Sequence, residues 1–400
     1  MTPKRIALSL AAFVLVSPLA ARALPATQSA APPAASPAAS GKKATITVQV
    51  PVTLRDKKGH LLTTYPASDL TLSDNGHPQT IQSFDHPQNE PLRIGLLLDT
   101  TSGQQDALDS ERAACARFVD QMLQRPNTKI FLLHFDHEVE LLQDFTNSAK
   151  KLRTELSQMT SSVDAASSQQ PSGQVGTVGK AAPPAGAEVY DAVYLAAREL
   201  FAPEHGRKLM VVFTNGYDRN SKVGLNEAID AAQRAQVSVF TLYVKGEGQR
   251  PANSGQSQRP GGVGFPGRYP GGGYPGGGYP GGSYPGGGYP GSNPGGNNRQ
   301  RTQTGYGDGR KTLEQIAVRS GGRYFEDIRK SDYDDVFHQI ADELNAQFAL
   351  IFTPNDLSDD SFSDGFHKIS LRAKDKSMFV VTTEGYFEPS SDTAANSAGK

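Results

Sequence analysis

Leu96-Leu97-Leu98-Asp99-Thr100-Thr101-Ser102-Gly103 is the stretch whose reading decides the fold. An apolar run ends on an aspartate, followed by small hydroxyl residues, a glycine and a helix-like stretch. In an open α/β sheet that junction falls at the carboxyl end of a strand, where ligands bind. The surrounding chain alternates accordingly. Ile94–Leu98, Ile130–Phe135, Leu209–Phe213 and Val237–Val244 are near-continuous apolar runs, which suit a mostly parallel sheet covered on both faces. Val139–Leu142 adds a short antiparallel edge, and Leu108–Leu123, Val189–Phe201 and Leu225–Ala235 have helical spacing. A helix at Leu313–Val318 and a short strand at Arg323–Phe325 complete the domain after a long interruption. The fold class is α/β, doubly wound around a mostly parallel sheet.

Both flanks read as β. Ile46, Val48, Val50, Val52 and Leu54 alternate strictly, and Pro51, pointing the other way, suggests an edge position. Leu70 and Leu72 start a short strand, and Asp74-Asn75-Gly76 predicts a hairpin into Thr80–Phe84. Near the other end, a helix at Tyr333–Leu344 precedes alternating runs at Phe348–Phe352 and Ile369–Ala373 and a third strand at Met378–Thr383. Three strands from each end are too thin to stand as separate sheets. They are expected to pair into one β-sandwich-like module flanking the α/β domain.

Met1–Ala23 reads as a secretory signal, with basic Lys4 and Arg5, an apolar core at Ile6–Val16 and an Ala-x-Ala site at Ala21-Arg22-Ala23. The expected location is therefore periplasmic or extracellular, with no membrane segment left after signal removal. The net charge of -1 gives no reason to expect nucleic acid as a partner. A single cysteine, Cys115, shares a helical face with Leu108, Phe118, Val119 and Met122 and reads as a buried small hydrophobe. The expected organisation is signal 1–23, Ala/Pro/Ser-rich linker 24–42, N-terminal β module 43–90, α/β domain 91–345, C-terminal strands 346–389 and tail 390–400. Low-complexity loops at 161–185 and 246–310 interrupt the domain. The second holds Tyr-Pro-Gly-Gly units starting at Tyr269, Tyr274, Tyr279 and Tyr284, and a Tyr-Pro-Gly-Ser variant at Tyr289. It reads as a disordered insertion, with a self-associating or partner-binding tyrosine array as the alternative.

The Leu96–Gly103 passage resembles the start of the von Willebrand factor A domain, in which Asp-x-Ser-x-Ser opens a metal-ion-dependent adhesion site. Further matches lie at Pro91–Asp99, Gln143-Asp144-Phe145-Thr146, Val189-Tyr190-Asp191-Ala192, Phe348–Pro354 and Glu384-Gly385-Tyr386-Phe387. Together with Val52-Thr53-Leu54-Arg55-Asp56 they are similar to the von Willebrand factor A-related family of exported acidobacterial proteins. The resemblance implies a binding role and a site drawn from three loops that holds Mg²⁺ or a similar ion. At those positions stand Asp99, Thr101 and Gly103, then Ala187, then Asn215, so three of the five lack the usual group. The resemblance thus assigns Asp99 and Thr101 to a degenerate metal site, and one charged ligand is too little for Mg²⁺. No cofactor is expected; Mg²⁺ or Mn²⁺ would need a site rebuilt with Thr100, Ser102, Glu188 and Asp218. The partner-binding face is assigned to Asp99, Thr101, Ser102, Glu188, Asn215 and Asp218.

His134-Phe135-Asp136-His137 looks like a metal cluster, but alternate strand residues point apart, which argues against it. The chain has no Gly-x-Ser-x-Gly elbow, His-Glu-x-x-His helix or phosphate loop, and no catalytic residue is assigned. Two functions follow. One is an exported, non-enzymatic binding protein whose partner is another protein or an envelope component. The other is a structural or assembly component of the envelope acting through the Tyr-Pro-Gly-Gly tract.

Overall fold

The computed structural model describes residues 46–87, 90–160, 187–245, 309–355 and 365–388. The signal, the linker, the 161–185 loop, the tract as far as residue 308 and the 390–400 tail lie outside the described residues. In chain order the elements begin with β1 (Val48–Arg55), β2 (Leu70–Asp74), β3 (His77–Gln79), β4 (Ile81–Asp85) and β5 (Leu92–Asp99). Next come α1 (Gln105–Met122), β6 (Thr128–Phe135), β7 (Val139–Thr146), α2 (Ala149–Gln158) and α3 (Val189–Leu195). β8 (Arg207–Thr214), α4 (Leu225–Arg234), β9 (Val237–Val244), α5 (Gly309–Arg319) and β10 (Tyr324–Ile328) follow. The series ends with α6 (Tyr333–Ala346), β11 (Phe348–Phe352), β12 (Phe366–Ala373), β13 (Phe379–Thr382) and β14 (Gly385–Phe387).

The central sheet has the order β10-β9-β8-β5-β6-β7, parallel except for β7, which runs antiparallel to β6. The middle stretches of its parallel strands, such as Leu96–Leu98, Ile130–Leu133 and Leu209–Phe213, are apolar at successive positions because both faces are covered. Ile94, Leu96 and Leu98 of β5 join the core under α1, α2 and α6, while Leu97 joins the core under α3 and α4. On α1 the stripe Leu108, Cys115, Phe118, Val119 and Met122 is buried. Phe118 stacks on Phe337 of α6 with ring centroids 4.2 Å apart, a pair contributing about 1 kcal/mol beyond its buried area. Gly95 leaves room for the Phe131 ring on the neighbouring strand; a Cβ there would meet Phe131 Cζ at 2.3 Å. The helical run from Val189 does not continue as one α-helix to Phe201: Ala196–Phe201 is a π-helical stretch.

The terminal strands form two four-stranded sheets, β13-β1-β11-β4 and β14-β12-β2-β3. Their inner faces share one core containing Val50, Val52, Leu54, Leu72, Leu350, Phe352 and Leu371, so the chain's two ends make the β-sandwich together. Two expectations need correction. The partner of β2 across the Asn75-Gly76 turn is the short β3, and the chain then turns at Thr80 so that β4 pairs with β11 in the other sheet. β1 is not an edge strand but lies between β13 and β11. Pro51 is tolerated because the β13 ladder covers only Val52–Arg55. The Pro51 carbonyl, and with it the nitrogen, faces that side, where Thr382 Oγ1 donates to the carbonyl at 2.8 Å.

Charged pairs join the sandwich to the α/β domain. Glu343 of α6, 2% exposed, faces Arg55 of β1 at 3.0 Å and Arg323, just before β10, at 3.8 Å. Arg319 at the end of α5 pairs with Glu384 at 2.6 Å, and Arg234 lies 3.6 Å over the Phe387 ring. Helix α6 itself runs from the domain straight into β11.

Candidate functional site

Three loops meet at the carboxyl edge of the central sheet. In the first, Asp99 is 1% exposed and already supplied with donors from the chain. Its Oδ1 accepts from the Thr101 amide at 3.0 Å and the Thr101 hydroxyl at 2.6 Å. Its Oδ2 accepts from the Thr214 hydroxyl at 2.6 Å, and the Gly216 amide donates onward to Thr214 Oγ1 at 3.1 Å. Burial pushes the Asp99 carboxyl above its ordinary range, and these hydrogen bonds pull it back part of the way. Thr101 is buried with it, whereas Ser102 is exposed.

Gly103 faces the third loop. A Cβ on it would have open space, its nearest neighbour being Asn215 Nδ2 at 3.8 Å. Asn215 is half-buried, and its Oδ1 accepts from the Tyr217 amide at 3.0 Å. Gly216 has φ +71° and sits against the first residue of α5; a Cβ on Gly216 would come within 2.4 Å of the Gly309 carbonyl oxygen. The second loop is stitched to the third. Ala187, 2% exposed, bridges to Asp218, and its carbonyl accepts from the Arg219 amide at 2.9 Å. Asp218 Oδ1 accepts from the Tyr190 amide at 3.0 Å and Ser221 Oγ at 2.6 Å, which organises the start of α3. Asp191 Oδ1 likewise takes the Lys222 and Val223 amides at 2.9 and 3.0 Å.

The structure thus brings Asp99, Thr101, Gly103 and Asn215 together, with Ala187 and Asp218 beside them. Asp99 and Thr101 lie beneath the surface, so Ser102, Glu188, Asn215 and Asp218 are the members of the assigned face that reach solvent. Burial and the charges of Asp191, Asp218 and Glu138 push the Glu188 carboxyl up, with Lys222 opposing. The donor set does not fit Mg²⁺, which demands near-octahedral oxygen coordination. Gly103 and Ala187 bring no side-chain oxygen, Asn215 brings no charge, and both Asp99 oxygens already serve the loops. Among the substitutes, Thr100 Oγ1 lies 3.0 Å from His134 Nδ1, and one oxygen of Asp218, Oδ1, is taken by the Tyr190 amide and the Ser221 hydroxyl.

His134 is the last residue but one of β6, while Asp136 and His137 lie in the turn beyond it. The ring spans Thr100 and Glu140, its Nε2 3.2 Å from Glu140 Oε2. Among the described residues no group of three His, Cys, Asp or Glu side chains is placed to hold a metal ion.

Sequence reading missed three residues here. Thr214, which supports Asp99 from the next strand, closes the Val211-Val212-Phe213 run. Gln104 is 2% exposed and donates through Nε2 to the Val244 carbonyl at 3.3 Å. Glu111, 1% exposed, accepts at Oε1 from the Tyr333 hydroxyl at 3.2 Å, while its Oε2 has no hydrogen-bond partner. Its signal was available: Glu111 stands on the buried stripe between Leu108 and Cys115.

Residues 94–257 match the family model described as the von Willebrand factor type A domain. A search of curated proteins returns no match. Among solved structures the chain is similar to an aerotolerance-related membrane protein from Bacteroides fragilis. The identity is 16%, the match covers 64% of this chain and 98% of that one, and the TM-score is 0.36. It is also similar to BatB from Bacteroides thetaiotaomicron, at 21% identity over 38% of this chain and 66% of that one, with a TM-score of 0.27. A third similarity is to the vWF domain of the type V pilus tip protein Mfa5 from Porphyromonas gingivalis. There the identity is 22%, the coverage 32% of this chain and 39% of that one, and the TM-score 0.25. The chain therefore spans less than two thirds of BatB and of the pilus protein.

Proposed function

We propose that this is an exported, non-catalytic binding protein of the von Willebrand factor A-related kind. Its type A domain engages another protein or an envelope component through the carboxyl edge of the sheet, without a bound divalent ion. The observation that carries the reading is the state of Asp99. The one charged group at the inherited ligand positions is buried and held by Thr101 and Thr214, while Gly103, Ala187 and Asn215 stand where further ligands belong. What reaches solvent is a rim of exposed Ser102 and half-buried Glu188 and Asp218, which suits a partner with basic side chains. Export rests on the Met1–Ala23 leader, and no helix among the described residues is long and apolar enough to cross a membrane.

The described residues on either side of the tract lie at the same edge. The Val244 carbonyl at the end of β9 meets Gln104, and Gly309 at the start of α5 packs against Asn215 and Gly216. The assembly reading rests on the repeated tyrosines of the tract's sequence. One experiment separates the two. Native envelopes are cross-linked to the full chain, to a chain with residues 246–308 replaced by a short Gly/Ser linker, and to Ser102→Arg. A binding domain keeps its partner without the tract and loses it in Ser102→Arg. Loss with the tract alone, and retention in Ser102→Arg, would favour assembly.

A further inference from the structure

The inner face of the sandwich ends on a polar group among apolar ones. His367 of β12 is 4% exposed and Asp74 of β2 is 3% exposed. Asp74 stands opposite Ile369, two residues along from His367, so both side chains lie on the same face as the core. The imidazole stacks on the Tyr386 ring of β14, with centroids 4.9 Å apart. Its Nδ1 lies 3.1 Å from Asp74 Oδ1, and its Nε2 lies 3.1 Å from Oε1 of Glu388, just beyond β14. The Tyr386 hydroxyl donates to the other Asp74 oxygen at 2.7 Å.

Both ring nitrogens therefore face carboxylates, which only accept when ionised. A neutral imidazole has one N–H and serves one of them; the imidazolium has two and serves both. Water treats the two partners differently. The Asp74 side chain is 2% exposed, so Oδ1 would be left buried without a donor, whereas Glu388 is 35% exposed and can be hydrated. Other charged groups nearby are engaged elsewhere or reach solvent. Lys368, next on β12, points to the other face and lies 4.0 Å from Glu384. His77 of β3 stands opposite Asp74 and is exposed, and Arg234 of α4 lies over the Phe387 ring.

We infer that His367 is a protonation-dependent clasp on the end of β14. Charged, the ring ties Glu388 to Asp74 across β12; neutral, it keeps its N–H on Asp74 and releases Glu388. The Glu388 amide donates to the Gly365 carbonyl at 3.0 Å, so the clasp closes the chain's exit from β14 onto its entry to β12. Imidazole is the side chain that ordinarily changes charge between about pH 5 and 8. The tie is made on the acid side of that window and lost as pH rises through it. This inference is independent of the binding role assigned to the edge of the central sheet.

NMR of the full chain with isotope-labelled histidine, at pH 5.5 and 8.5, tests it, His367→Gln identifying the ring signals. Both nitrogens of His367 are expected to carry protons at the lower pH and Nδ1 alone at the higher. Hydrogen-exchange protection of the Glu388 amide, corrected for its intrinsic rate, is expected to fall at least tenfold between the two. Glu388→Gln leaves the Asp74–Tyr386 contact in place and is expected to abolish most of that fall. A ring whose protonation is the same at both pH values, or a fall in protection that is undiminished in Glu388→Gln, would overturn the assignment.

Discussion

Replacing Glu111 by glutamine is expected to abolish most of the loss of stability that the protein undergoes between pH 5 and pH 8. The carboxyl is buried on α1, with Tyr333 on one oxygen and nothing on the other. Desolvation, reinforced by the charge of Asp99, raises it from 4.5 to about 8. In the unfolded chain the same group ionises near its ordinary value, so the folded state is the one that keeps the proton. A raised folded value means that the contribution is complete below about 4.5, shrinks as pH rises, and is gone above about 8. At about 1.4 kcal/mol per pH unit across this window, the wild-type protein should lose roughly 3–4 kcal/mol that the variant does not. Glutamine keeps the size and the acceptor for Tyr333. Urea unfolding of both proteins at pH 5, 6, 7 and 8 gives the difference, and the shared contribution of Asp99 cancels to first order. Parallel stability curves for the two proteins would refute the reasoning, because they would mean that Glu111 titrates alike folded and unfolded.

Other substitutions test the packing and the junction. Gly322→Ala places a Cβ 2.0 Å from the Val239 carbonyl oxygen, whereas Gly95→Ala meets only the Phe131 side chain. Urea midpoints should show the first costing about 3 kcal/mol or more and the second about 1–3 kcal/mol, since a ring can shift and a strand backbone cannot. Glu343→Ala strands Arg55 and Arg323 at the sandwich junction and is expected to cost about 3–5 kcal/mol in chemical denaturation. A loss under about 1 kcal/mol would mean that water already serves those arginines.

Where the sequence spoke through hydrophobic period, it spoke clearly. β5, β6, β8 and β9 are each lined by two cores, so successive positions in their middle stretches are apolar and the runs cannot be read as loops. The three-loop edge follows from those strand ends, which is why Asp99, Gly103 and Asn215 meet. Helix α2 escaped because only Leu152 and Leu156 are buried and the rest of its surface is polar; its one local mark is Ser148, which caps the Lys151 amide at 3.4 Å. The three-residue strands β3 and β14 owe their form to neighbours, and so short a segment carries no period of its own. Pro51 misled because the rule about proline concerns the neighbouring ladder at that residue, and β13 starts one residue later. At the site, position in the loops was legible, but burial was not. Asp99 and Thr101 were assigned to a partner-binding face, yet the Thr214 hydroxyl and the neighbouring strands enclose them.

The central claim is that the type A face works without an ion, and thermal unfolding with millimolar Mg²⁺ or Mn²⁺ against a chelator control tests it most directly. A competent site at a hundred times its dissociation constant would add about 2.7 kcal/mol. In a folded unit of this size that raises the Tm by roughly 5–10 °C. The unmodified protein is expected to move by less than about 1 °C on that scale. Gly103→Ser, Ala187→Thr and Asn215→Asp together should create the larger shift, and adding Asp99→Ala should abolish it. A shift of several degrees in the unmodified protein, lost in Asp99→Ala, would contradict the account and show that other oxygens have rebuilt the site.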